Sequence, residues 1–132
     1  MAPLRFIVGV LALVACVGVA KAVPVDDLYQ ARSITTGQTE ENRGTGFAEC
    51  MTDVLIKVSG DPRLRDDPRV REFAKHAAGY IRAFRYRDRM EDLPVHDEQG
   101  TRDRPYDLTC DFDAAKVDGA LRSLGRAPWT AE

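Results

Sequence analysis

The stretch 45–61, TGFAECMTDVLIKVSGD, constrains the fold more than any other part of the chain. Phe47, Met51, Val54, Leu55 and Val58 recur at the three- and four-residue intervals of an α-helix, and Glu49, Asp53 and Lys57 fall on the opposite side. A helix with one apolar stripe has to lay that stripe against something, so the chain must also supply a complementary apolar layer. Ser59-Gly60-Asp61-Pro62 ends the run. Glycine takes the left-handed conformation that closes a helix, and proline has no N–H with which to extend it.

The complementary layer is legible further on. Tyr106, Leu108, Cys110 and Phe112 alternate with Asp107, Thr109 and Asp111, the pattern of a strand buried on one face. Phe84 and Tyr86, two apart within 81–90, suit a second strand with its arginines turned outward. Val25, Leu28, Tyr29, Ala31 and Ile34 make 23–35 a first strand. Asp67-Pro68 opens a second helix carrying Val70, Phe73, Ala74, Ala77 and Ile81, and Asp113 caps a third carrying Val117, Ala120, Leu121 and Leu124. That helix stops at Gly125 and Pro128, and Trp129 is expected to fold back over an edge of the core. In the polar segment 36–46, Thr39 is a candidate N-cap with Glu40 and Glu41 in a first turn. Gly44 and Gly46 each disfavour a helix interior by about 1 kcal/mol, so the firm helix is set to begin near Thr45. The order strand-helix-helix-strand-strand-helix predicts an α+β two-layer sandwich, a small, mainly antiparallel sheet with helices on one face.

Residues 1–22 read as an export signal: a basic start ending in Arg5, an apolar run over 6–19, and Ala20-Lys21-Ala22 as a cleavage motif before Val23. The apolar run is shorter than the roughly 20 residues of a membrane-spanning helix, so no span is expected in the mature chain. Leu13-Val14-Ala15-Cys16 offers an alternative, lipid attachment through Cys16. Residues 23–132 then form a single domain in the periplasm or outside the cell. Cleavage leaves two of the three cysteines, Cys50 and Cys110, an even pair suited to a disulfide in an oxidising compartment. Closing a loop of that size adds about 4 kcal/mol in the chain-entropy picture. The whole chain has a formal net charge of −2, and cleavage removes two basic residues, so nothing electrostatic invites nucleic acid or an anionic membrane.

DVLIKVSGDP over 53–62, DEQGTRDRPYDL over 97–108, Phe112-Asp113, and the closing Leu124-Gly125 with Pro128-Trp129 together resemble an exported bacterial family, domain of unknown function 2066. The resemblance covers nearly all of 23–132 and implies an envelope-located protein, with no activity to carry over.

The most polar stretch, 91–104, reads as a long hairpin tip, with Glu91, Asp92, His96, Asp97, Glu98, Asp103 and the following Asp107 as its acid–base candidates. Paired carboxylates catalyse only where a closed, partly apolar pocket separates their proton affinities, which a polar tip does not provide. His96-Asp97-Glu98 are adjacent in sequence, a poor arrangement for converging on one metal. Ser59 is explained by helix termination, and Cys50 and Cys110 do not form a C-x-x-C pair. No catalytic residue, metal site or cofactor is therefore assigned. The expectation is a non-catalytic module that binds an envelope protein or cell-wall polymer through the open sheet face and through Asp97, Glu98, Arg102, Asp103 and Arg104. The alternative is a small hydrolase or metal-dependent enzyme using the acidic tip, 91–107.

Overall fold

The structure, a computed structural model, describes residues 25–92 and 104–129. The expected signal 1–22, its cleavage point between Ala22 and Val23, Cys16, and the tip residues Asp97, Glu98, Arg102 and Asp103 lie outside the described residues.

The striped helix is the backbone of the fold and is longer than its apolar pattern. Helix α2 runs Glu40–Ser59, with Thr39 as N-cap, its hydroxyl accepting the Asn42 N–H, and Gly60 closing the far end at φ 70°. It therefore passes through both Gly44 and Gly46. Gly46 sits where the helix meets the sheet: a Cβ built there would lie 2.7 Å from Leu108 Cδ2 and 2.8 Å from Thr35 Cγ2. Glycine is present because of that close approach, and the contact outweighs its poor helix propensity.

The first strand is shorter than expected. Val25–Leu28 form a helical turn, α1, and strand β1 is Gln30–Thr36. Its inward residues are Ala31, Ser33 and Thr35, while Ile34 points outward and is 56% exposed. Small side chains on this strand and Gly46 on the helix are two sides of one fit. An apolar pattern could not disclose it, because Ser33 and Thr35 are the residues that are buried.

Helix α3 is Pro68–Lys75, strands β2 and β3 are Ile81–Asp88 and Pro105–Phe112, and helix α4 is Ala114–Ser123. Asp67 and Asp113 cap α3 and α4 as their sequences predict. The sheet order is β1-β3-β2, antiparallel throughout. The element sequence and two-layer α+β architecture are those expected. Met51, Val54, Leu55 and Val58 of α2, Leu108 and Cys110 of β3, and Val117 and Leu121 of α4 are fully buried between the layers. The other face of the sheet carries Arg32 and Ile34 from β1, Asp107, Thr109 and Asp111 from β3, and Arg85 and Arg87 from β2. Among the described residues, no helix is long and apolar enough to cross a membrane.

Candidate interaction surface

Of the expected hairpin-tip surface, the described residues include only Arg104, and it serves to close the hairpin's base. Its guanidinium lies 3.2 Å from Asp88 Oδ2 and donates to the Met90 carbonyl at 2.8 Å. Arg89 reaches Asp107 at 3.6 Å on the same base. Glu91 and Asp92 border a small polar hollow of about 220 Å³ there. Asp88 and Asp107 thus each face an arginine instead of sharing a site with another carboxylate. Among the described residues, no three His, Cys, Asp or Glu side chains gather as a metal ion would need.

The expected disulfide is corrected: Cys50 and Cys110 are free thiols, both fully buried where α2 crosses β3. Helix and strand hold them side by side. The interaction with Cys110 draws the Cys50 thiol below its ordinary value against the effect of burial, while Cys110 itself is pushed up. Cys50 Sγ also lies 3.6 Å from Ser33 Oγ. An even cysteine count identifies partners in space but does not specify whether the sulfurs are bonded.

Ser59 is occupied as expected in ending α2, its hydroxyl accepting the Asp61 N–H at 3.1 Å. Asp61 in turn faces Arg63 at 3.0 Å and Arg126 at 2.9 Å, and these hydrogen bonds hold its carboxyl well below the usual carboxylate range. This cluster ties α2 to the C-terminal segment. Trp129 departs from expectation: its backbone N–H bonds the Val58 carbonyl at 2.9 Å, but the side chain is 63% exposed and does not cover the core.

The surface that stands out is one that sequence reasoning placed only in part. Phe84 and Tyr86 do face the helix layer, but α2 lies chiefly over β1 and leaves the inner face of β2 partly uncovered. Phe84 is 43% exposed. It meets Phe47 edge-to-face at 5.2 Å between centroids, then Tyr86 at 5.9 Å, and Tyr86 meets Tyr106 at 5.9 Å. The Arg43 guanidinium sits 5.2 Å from the Phe84 centroid, a cation–π placement. Between the start of α2 and β2 opens a groove of about 720 Å³ bordered by Arg43, Gly44, Phe47, Ile81, Arg82 and Phe84. Gly44 borders it, and a Cβ there would have no atom within 4 Å. The aromatic–arginine alternation of 84–87 was the sequence signal for this site. What it lacked was the offset of α2 across the sheet.

The edge of the groove is a strand edge. The Arg89 N–H donates to the Pro105 carbonyl at 3.2 Å, which fixes the alternation of the β2–β3 ladder. Arg85 and Arg87 pair toward β3, and the backbone N–H and C=O groups of Phe84 and Tyr86 and the N–H of Asp88 point away from it, the Asp88 carbonyl accepting the Glu91 N–H. Among the described residues, no strand pairs with that side.

No curated protein and no solved structure matches the chain. The resemblance to domain of unknown function 2066 is overturned by a match to a different family. Several of the short motifs that carried it, Ser59-Gly60-Asp61-Pro62, Phe112-Asp113 and Leu124-Gly125, lie at helix ends, where capping chemistry imposes similar residues on unrelated chains. The chain belongs to the family described as Domain of unknown function (DUF8605), whose model matches residues 22–130.

Proposed function

We propose that the protein is a non-catalytic interaction module of the cell envelope, directed there by residues 1–22 and binding a protein or cell-wall polymer through the groove beside β2. The observation that supports this reading is the exposed Phe84, backed by Phe47 and faced by Arg43. Large aromatics and arginines that share a concave surface are the side chains around which binding energy concentrates.

A photocrosslinking amino acid placed at position 84 should capture a discrete partner in envelope extract. The same group at Arg71, on the exposed side of α3, should capture none. Equal capture from both positions, or none from either, would remove the groove as a binding surface.

A further inference from the structure

We propose that the free edge of β2 accepts an extended peptide, alternating apolar and acidic residues, as a fourth strand of the sheet. This rests on the interaction-module reading and adds the chemistry of the partner. Among the described residues, the N–H and C=O groups of Phe84 and Tyr86 and the N–H of Asp88 form an unpaired row at strand spacing, which is what an added strand needs for its main-chain hydrogen bonds; the Asp88 carbonyl, which accepts the Glu91 N–H at 3.3 Å, ends the row.

The two faces of β2 set the side-chain pattern. A peptide lying along this edge turns alternate side chains to opposite faces. Those on the inner face lie beside Phe84 and enter the groove against Phe47, so they are apolar. Those on the outer face lie beside Arg85 and Arg87, so they are acidic. Arg87 is exposed and has no carboxylate partner among the described residues, Arg85 is shared with Asp111 at 3.3 Å, and Arg82, also exposed and without a carboxylate partner among the described residues, stands at the strand irregularity where the edge meets the groove. The one acid of the strand, Asp88, is already held by Arg104. A second copy of β2 is the wrong occupant, because it would bring one arginine row against another. The charge that protects this edge from self-pairing is the charge that selects an acidic strand.

The test uses the purified protein and three blocked eight-residue peptides: alternating valine and glutamate, alternating valine and lysine, and the valine–glutamate peptide N-methylated at alternate residues on its docking edge. Binding is read by fluorescence anisotropy and by amide shifts at Phe84, Tyr86 and Asp88. The valine–glutamate peptide should bind and shift those amides. The lysine peptide and the N-methylated peptide should each bind at least tenfold more weakly. The double variant Arg82→Glu/Arg87→Glu, altered only at exposed positions, should lose at least tenfold for the glutamate peptide.

Equal binding of the N-methylated peptide would reduce the interaction to charge alone and overturn strand addition. So would concentration-dependent dimerisation that the arginine variant abolishes, which would assign the edge to a second copy. If no peptide binds while position 84 still captures a partner in extract, strand addition fails and the module reading stands. If neither occurs, both fail.

Discussion

Replacing Gly46 by alanine probes the closest approach between the two layers. Carbon atoms pack best at about 3.5–4.0 Å, so a Cβ 2.7 Å from Leu108 Cδ2 and 2.8 Å from Thr35 Cγ2 requires a local opening of about 1 Å. None of the neighbours yields easily. Leu108 is fully buried, and Ser33, whose hydroxyl would lie 3.0 Å from the new methyl, donates to the Gly46 carbonyl at 3.1 Å. Overpacking of this kind costs about 1–3 kcal/mol. Alanine meanwhile gains about 1 kcal/mol of helix propensity over glycine, which masks part of the steric effect. Gly44→Ala supplies the control, since the same helix gains the same propensity with no atom within 4 Å of the added methyl. The difference between the two variants isolates the steric term: Gly46→Ala should be less stable than Gly44→Ala by about 1–3 kcal/mol, with Gly44→Ala itself more stable than the parent. For a domain of this size that is a melting-temperature gap on the order of 10 °C. Thermal and urea unfolding followed by far-ultraviolet circular dichroism measure it. Two variants melting together would show that the helix does not meet the sheet at Gly46, and the account of the small residues on β1 would fall.

Other expectations follow from the polar contacts. Burial, and then the 2.7 Å hydrogen bond to Asp118, push the Tyr29 phenol from 10.0 up to about 12. Because the folded value is the raised one, its stabilising contribution is complete below pH 10 and is lost as the pH climbs through 12. One tyrosine should therefore ionise late in a 295 nm titration, and the late phase should vanish in Tyr29→Phe; its persistence in that variant would refute the assignment. Asp61, lowered by Arg63 and Arg126, works in the opposite sense: its contribution is present above the ordinary aspartate range and is lost as the pH falls below it. Asp61→Asn should flatten the acid limb of the stability curve, and identical limbs would refute the clamp. A thiol count in the denatured, unreduced domain of residues 23–132 should find two, at Cys50 and Cys110; a count of zero would refute the free pair.

The architecture was legible where pattern and capping agreed. The stripe from Phe47 to Val58, the alternation from Tyr106 to Phe112, and the Asp–Pro and Asp113 helix starts each carry two independent signals, and each held. Legibility ended where tertiary contact overrides local preference. Two glycines argued against helix at 44–46, yet one is required by the packing of Leu108 and the other borders the groove. Polar Ser33 and Thr35 face inward while Ile34 faces out, because the space under Gly46 admits only small side chains. For the candidate site, the strand and the facing of its aromatics could be read from Phe84 and Tyr86. Their exposure could not, since it depends on how far the helix layer is displaced toward β1. The edge-to-face ladder from Phe47 to Tyr106 joins residues far apart in sequence and has no local signature at all.

The strand at the middle of the sheet is the one synthesised last. Gln30 and Asp111, hydrogen-bonded neighbours across β1 and β3, are 81 positions apart. A chain emerging N-terminus first can coil its long helix early, but β1 has no pairing partner until the final quarter has been made, and such distant pairings form slowly. Delay of that kind leaves β1 and β2 without their shared neighbour while the helix between them is already in place, and it makes Pro105–Phe112 the segment whose arrival joins the three strands into one sheet.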